Sequence, residues 1–190
     1  EFGQPGSDLE FFGKVSFLKA GIRSADLITT VSPTYSTEIQ NDADLGCGLQ
    51  GVLLERKDDL CGILNGVDYG IWNPEKDSLI PAKFSAATLK DKEKNKKALA
   101  KEAAFSFDPA VPIVGMISRL TNQKGFDLVA AAISDLLKLK IQLVILGTGD
   151  PQYHKLLEKL AKAHSKQVAL FLKFDDTLAH LIEAGSDMFL

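Results

Sequence analysis

The feature that most constrains the fold is a regular alternation of short apolar runs and longer amphipathic segments after residue 112. The periodicity predicts strands at 113–117, 142–146, 168–172 and 188–190, and helices at 126–137, 152–164 and 176–184. Strands that alternate with helices of this length are typical of a parallel sheet built by right-handed crossover connections. The sequence therefore predicts an α/β fold here, with helices on both faces of the sheet.

The first part of the chain indicates a shorter unit of the same kind. Helical spacing of apolar residues predicts a helix at 11–22, and a β-branched run predicts a strand at 27–31. Ser32 is expected to cap a second helix whose first position is Pro33, where a missing N–H costs nothing. Asn65-Gly66 is expected to form a tight turn with a positive φ.

A boundary between two domains is expected near two prolines. Pro74 and Pro81 flank a short polar segment, which favours a division into domains at 1–75 and 76–190. The first of these domains would hold few strands, and the last predicted strand has no helix after it. We therefore expect the chain to be a piece of a longer protein.

The loop after the strand at 113–117 carries two cations, Arg119 and Lys124, and Gly125 then precedes a helix. In open α/β sheets, ligands bind beyond the carboxyl ends of the strands, and helix N-termini favour anions. This arrangement predicts a phosphate or pyrophosphate ligand. The alternative is that both charges are simply solvated at the surface.

A second turn, Gly-Thr-Gly-Asp at 147–150, also joins a strand to a helix. It does not complete the dinucleotide fingerprint, because Gln152 stands where the third glycine is required. No P-loop occurs either. The turn is compatible with a nucleotide beside Gly147 and Thr148, and equally with a tight connection that leads to Pro151 at the first helical position.

Composition argues against several classes of function. The formal net charge of -3 and the pI of about 5.6 give no footprint for nucleic acid or an anionic membrane. No apolar run approaches the roughly 20 residues of a membrane span, and the start of the chain does not resemble a signal peptide. Cys47 and Cys61 form no Cys-x-x-Cys pair and the histidines are scattered, so no metal site is expected. Reduced thiols fit a reducing compartment.

Several blocks of sequence, taken in order and spacing, resemble a known family. Over essentially all of its length the chain is similar to the bacterial glycogen synthases and starch synthases, which are retaining glucosyltransferases that use ADP-glucose. The blocks are Phe-Leu-Lys-Ala-Gly-Ile at 17–22, Thr-Val-Ser-Pro-Thr-Tyr at 30–35, Gly-Ile-Leu-Asn-Gly-Val-Asp at 62–68, Trp-Asn-Pro at 72–74, Ser-Arg-Leu-Thr-Asn-Gln-Lys-Gly-Phe-Asp at 118–127, Leu-Gly-Thr-Gly-Asp-Pro at 146–151 and Ala-Gly-Ser-Asp-Met-Phe-Leu at 184–190.

The resemblance implies the GT-B fold, with the end of an N-terminal Rossmann-like domain joined to the first half of a C-terminal one. It implies transfer of glucose from ADP-glucose to the non-reducing end of an α-1,4-glucan, with retention and without a metal or other cofactor. Arg119 and Lys124 would hold the diphosphate and stabilise the ADP leaving group, and Asn65 would match a sugar-site asparagine. Gly147 and Thr148 would line the nucleotide pocket. The implied location is the cytoplasm, or the plastid in a plant.

Three parts of the family pattern are not found in this chain. These are a Lys-x-Gly-Gly-Leu loop, a catalytic histidine of the N-terminal domain, and a Glu-x-x-Gly-Leu segment. We therefore expect the chain, made alone, to lack synthase activity. Two alternatives stay open at this point: a non-catalytic module of the same fold that binds a nucleotide or glycan, and an enzyme that uses a UDP-sugar.

Overall fold

The computed structural model describes residue 4 and residues 7–190, which fall into two compact units. The units are Glu1–Val67 and Asp68–Leu190. The chain therefore divides earlier than the boundary expected between Pro74 and Pro81. The assignment of 1–75 and 76–190 to two functional domains stays a prediction.

The first unit opens with a β-hairpin where a helix at 11–22 was predicted. Strand β1 (Glu10–Phe11) pairs with β2 (Lys14–Val15) in antiparallel register, and helix α1 (Phe17–Ser24) follows. The prediction was wrong because Phe12 and Gly13 both adopt a positive φ, which makes a tight turn and interrupts the helical pattern. The helix begins only after Ser16, whose side chain accepts a hydrogen bond from the Lys19 amide.

The rest of the first unit is one parallel pair of strands with two helices between them. Its elements are β3 (Ile28–Thr30), α2 (Pro33–Asn41), α3 (Gln50–Glu55) and β4 (Leu60–Gly62). Ser32 caps α2 by accepting from the Tyr35 amide and Pro33 is the first helical residue, as predicted. A small core seals the unit, made of Ile39, Leu49, Leu53 and Leu60.

The tight turn predicted at Asn65-Gly66 is absent. Gly66 does not have a positive φ, and residues 63–68 form an irregular segment after β4 that has no regular secondary structure. The amide of Ile63 still donates to the Thr30 carbonyl at 2.8 Å, so the chain continues beside β3 instead of reversing there.

A four-stranded parallel sheet forms the centre of the second unit, in the order β7-β6-β5-β8. Its helices and strands are α4 (Lys92–Glu102), β5 (Ile113–Ile117), α5 (Phe126–Leu136), β6 (Gln142–Leu146), α6 (Pro151–Ala163), β7 (Val168–Phe171), α7 (Asp176–Gly185) and β8 (Met188–Phe189). The elements predicted after residue 113 are therefore confirmed to within one residue at each end.

Helices cover both faces of this sheet. Alternate residues of β6 point to opposite faces, so Val144 and Leu146 pack in a core with α4 and α7. Leu143 and Ile145 pack in a second core with α5 and α6. Every residue of β6 is buried, as expected for a central parallel strand.

The strand order places a topological switch point at β5. The chain runs outward from β5 through β6 to β7, and α7 then crosses the other face so that β8 pairs with the free side of β5. Ligands of open α/β sheets bind beyond the carboxyl ends of the strands at such a point. Within the part of the chain that the structure describes, no helix has the length and apolar character needed to cross a membrane.

Candidate active site

The carboxyl ends of β5, β6 and β7 surround a cavity of about 370 Å³ in the second unit, which we call the carboxyl-end cavity. The loops after the three strands each contribute to its wall, together with an aromatic residue of the segment before α4. The lining residues are Trp72, Ile117, Ser118, Arg119, Leu146, Gly147, Thr148, Lys173, Phe174, Asp175, Asp176 and Ala179. Three of the predicted site residues, Arg119, Gly147 and Thr148, are thus brought together.

Lys124 lines a different cavity. It ends a 3-10 turn at Asn122–Lys124 and lines a shallow cavity of about 630 Å³ beside α5, which we call the α5-side cavity. This second cavity is otherwise mostly apolar, and it shares Ile117 and Ser118 with the carboxyl-end cavity. The two predicted cations therefore line different cavities, which meet at the end of β5.

Asn65 belongs to the first compact unit, where it is exposed in the irregular segment after β4. It follows the carboxyl end of its strand, as Arg119 follows β5. Its predicted role at the sugar stays a prediction.

The loops after β5 and β6 are held together by backbone hydrogen bonds. The Leu120 amide donates to the Thr148 carbonyl at 2.9 Å, and the Asp150 amide donates to the Leu120 carbonyl at 2.9 Å. Leu120 is fully buried, whereas Arg119 beside it is exposed. The buried leucine fixes the loop, and its polar neighbour is left to face the cavity.

Two glycines make this close approach of backbones possible. A Cβ atom at Gly147 would overlap the Ser118 carbonyl, and one at Gly149 would overlap the Leu120 carbonyl. Pro151 is the first residue of α6, so the turn is the tight strand-to-helix connection that one of the two interpretations expected. The same turn places Gly147 and Thr148 on the cavity wall, and a nucleotide beside them stays a prediction.

The loop that carries the two cations is also tied to α6. The hydroxyl of Tyr153 donates to the side-chain oxygen of Asn122, which begins the 3-10 turn. Burial raises the pKa of the Tyr153 hydroxyl above its ordinary value, and the nearby carboxylates of Asp127 and Asp150 raise it further. Tyr153 therefore stays a neutral hydrogen-bond donor at physiological pH.

Electrostatics distinguish the cations at this edge of the sheet. Lys173 forms an ion pair with Asp175 at 2.6 Å. The hydrogen bond from Lys173, and then that from the Leu178 amide, lower the pKa of the Asp175 carboxyl. Among the described residues neither Arg119 nor Lys124 has a carboxylate within 4.0 Å. Their charge is available to an anion from solution.

The site is suited to an anionic ligand with an aromatic part. Phe174, between β7 and α7, is 95% exposed on the wall of the cavity that also holds Arg119. An exposed ring next to a cation can stack on a base while the cation binds phosphate oxygens. Among the described residues, no three His, Cys, Asp or Glu side chains are grouped so that they could hold a metal ion.

The sequence-based prediction missed Phe174, Trp72 and Lys173. The signal for Phe174 and Lys173 was present, because both directly follow β7 as Arg119 follows β5. Trp72 reaches the cavity through a stacking contact with His180 on α7, and nothing local in the sequence indicates that contact.

Comparison with known proteins identifies related chains. The family described as "Glycosyl transferases group 1" matches residues 92–190, and "Starch synthase catalytic domain" matches residues 2–55. Glycogen synthase 1 of Methylococcus capsulatus is 46% identical over 182 residues, which are 96% of this chain and 37% of that protein. Glycogen synthase of Paracidovorax citrulli is 49% identical over 181 residues, 95% of this chain and 35% of that protein.

A solved structure of a starch synthase is also similar to this chain. The catalytic domain of starch synthase IV from Arabidopsis thaliana, bound to ADP and acarbose, aligns with 99% of this chain at 36% identity and a TM-score of 0.90. The alignment covers 39% of that structure, so the chain spans a little over a third of the relatives it matches. The predicted α/β fold of GT-B type is confirmed by this match. The chain belongs to the glycosyl transferases group 1 by its match over residues 92–190, and its similarity over the whole length is to glycogen synthases and starch synthases.

Proposed function

We propose that the complete protein is a glycogen or starch synthase that transfers glucose from ADP-glucose to the non-reducing end of an α-1,4-glucan, with retention of configuration. The observation that carries the proposal is the carboxyl-end cavity at the switch point of the sheet, whose wall holds both exposed Phe174 and Arg119, a cation without an ion-pair partner among the described residues. Starch synthase IV, which aligns with 99% of the chain, was solved with ADP and acarbose bound.

The chemistry requires charge stabilisation at the diphosphate. The bond between the glucosyl C1 and the diphosphate oxygen breaks, ADP leaves with the electron pair, and a glucan hydroxyl supplies the new oxygen and loses its proton. In the proposal, Arg119 holds the diphosphate from the carboxyl-end cavity and Lys124 approaches it from the α5 side of the β5 end. A planar guanidinium and a compact ammonium complement each other on a group with several oxygens.

The nucleotide part is assigned to the carboxyl-end cavity. Phe174 offers its ring to the base, and Gly147 and Thr148 form the adjacent wall. Asn65 is kept as the proposed sugar contact.

The wider organisation is part of the same proposal. We assign residues 1–75 to the acceptor-side domain and residues 76–190 to the nucleotide-sugar domain. Glycogen or starch is the proposed acceptor. The proposed location is the cytoplasm, which the two free cysteines favour.

The test uses the complete protein and measures glucan elongation with ADP-glucose and, separately, with UDP-glucose. We expect elongation with ADP-glucose and a lower kcat/KM with UDP-glucose. No elongation with either donor would contradict a synthase and favour a non-catalytic binding module. A higher kcat/KM with UDP-glucose would contradict the assigned donor.

The role of Phe174 has its own measurement. Stacking of a base on an aromatic ring is worth about 1–3 kcal/mol, so Phe174→Ala should weaken ADP binding by roughly 5- to 150-fold in calorimetry. Phe17→Ala is the matched control, because Phe17 is an exposed phenylalanine of the first unit. Equal ADP affinity in the Phe174 variant and in this control would remove Phe174 from the nucleotide site.

A further inference from the structure

A buried histidine, a carboxylate and a tryptophan form a cluster at the edge of the carboxyl-end cavity. The Nδ1 atom of His180, on α7, lies 2.7 Å from Oδ2 of Asp77. The indole of Trp72 stacks on the imidazole with ring centroids 4.0 Å apart and an interplanar angle of 11°. The side chains of His180 and Asp77 are only 2% and 9% exposed.

Trp72 connects this cluster to the candidate active site. Trp72 is 36% exposed and forms part of the wall of the carboxyl-end cavity. The main chain around it is irregular and turns back at Asp68, whose carbonyl accepts from the Trp72 amide at 2.8 Å. A side chain on such a segment needs contacts from a regular element to hold its orientation, and His180 on α7 supplies one.

The carboxylate in turn fixes the histidine. Asp77 accepts the Nδ1–H of His180 through one oxygen and the Leu79 amide, at 2.8 Å, through the other. This arrangement sets the tautomer and the plane of the imidazole. The plane of the imidazole then sets the plane of the stacked indole.

The cluster is not explained well by stability alone. The Nε2 atom of His180 is buried and has no hydrogen-bond partner among the described residues. A buried polar atom without a partner costs free energy, and an apolar side chain of similar size would avoid that cost. Orientation of Trp72 gives a reason for a histidine at this position.

We infer that Asp77 and His180 are positioning residues that hold Trp72 as a wall of the carboxyl-end cavity, where Trp72 contacts the nucleotide-sugar donor. The inference rests on the proposed function, because it takes the donor to occupy this cavity. Asp77 and His180 themselves touch no substrate. They act on donor binding through Trp72.

The experiment is a double-mutant cycle in the complete protein, with the KM for ADP-glucose, the KM for glucan and kcat measured for each variant. Loss of an aromatic contact predicts that Trp72→Ala raises the donor KM by roughly 3- to 10-fold. His180→Ala should raise the donor KM by a similar factor. The double variant should resemble Trp72→Ala alone, with the glucan KM unchanged throughout.

Two further variants keep the test decisive if His180→Ala folds poorly. His180→Phe keeps a ring under the indole, so it should retain a donor KM closer to wild type than His180→Ala does. Asp77→Asn should raise the donor KM only when Trp72 is present. His164→Ala is the matched histidine control, since His164 is exposed at the end of α6.

The outcomes separate this inference from the proposed function. An active wild-type enzyme in which the effects of Trp72→Ala and His180→Ala multiply would overturn the inference alone, because His180 would then act without Trp72. An unchanged donor KM in Trp72→Ala would also overturn it alone. A wild-type protein that does not elongate glucan with ADP-glucose would overturn both.

Discussion

Gly147→Ala is the sharpest test of how the candidate site is built. Gly147 has a φ of +153°, which L residues rarely adopt, and a Cβ there would overlap the Ser118 carbonyl of the neighbouring loop. Two of the hydrogen bonds that join these loops are near this carbonyl: the Ser118 amide donates to the Leu146 carbonyl at 3.1 Å, and the Leu120 amide donates to the Thr148 carbonyl at 2.9 Å. The added methyl group cannot be accommodated while both bonds are kept.

The magnitude follows from these contacts. Each buried hydrogen bond left unmade costs about 1–3 kcal/mol, and an unfavourable backbone conformation costs about 1–3 kcal/mol. With the lower end of each range, Gly147→Ala reduces the free energy of unfolding by about 3 kcal/mol. The urea midpoint should fall by this free energy divided by the m-value that is measured for the same transition.

The assay is equilibrium urea denaturation of the complete protein, followed by circular dichroism. Gly21→Ala is the matched control, because Gly21 lies inside α1 and a Cβ there meets no atom within 4 Å. Alanine inside a helix is favoured over glycine, so this control should have an equal or higher midpoint. Equal midpoints for Gly147→Ala and Gly21→Ala would refute the close-approach argument.

The remaining predictions concern the charges and the attachment of α4. Lys124→Ala should lower turnover on the order of 100-fold, because stabilisation of the leaving group is lost. Lys166→Ala is the control and should not change turnover, because Lys166 precedes the amino end of β7. Similar turnover in the two variants would remove Lys124 from the site. Asn95→Ala should lower the free energy of unfolding by about 2 kcal/mol, because Asn95 donates to and accepts from the backbone of Ala82 at 2.7 and 2.9 Å; an unchanged midpoint in denaturation would contradict this. Because the pKa of Asp175 is lowered in the folded state, its stabilising effect is present above about pH 4 and is lost as pH falls further. The difference in free energy of unfolding between wild type and Asp175→Asn should therefore become smaller in acid. A difference that does not change with pH would contradict this role of Asp175.

The sheet could be predicted because its strands are signalled locally. The run at Gln142–Leu146 is apolar apart from its first residue and bounded by turn residues, so periodicity and length gave both of its ends. The hairpin formed by β1 and β2 could not be found in this way. Its strands have two residues each, and its turn places Phe12 in a conformation that is unusual for a non-glycine residue.

Some residues of the candidate site could likewise be predicted from local sequence, and others could not. Arg119 and Thr148 were predictable because each closely follows a strand, and the carboxyl ends of parallel strands meet at one edge. The same rule would have found Phe174. The contact between Asp77 and His180 joins positions 103 residues apart, and it depends on how α7 packs beside an irregular segment. No pattern within either segment contains that information.

The placement of the two cations follows from the residue between them that faces inward. Leu120 is fully buried and bonded on both sides to the loop after β6, so the chain around it has one position relative to the sheet. Arg119 precedes this anchor and faces the carboxyl-end cavity, whereas Lys124 follows it on the α5 side. Since the loop is fixed by backbone bonds that need no ligand, little reorganisation of the main chain is required when an anion binds. Preorganised charge of this kind is most effective where negative charge develops on a leaving group, which is why a loop with a leucine anchor serves the proposed glucosyl transfer better than a flexible one.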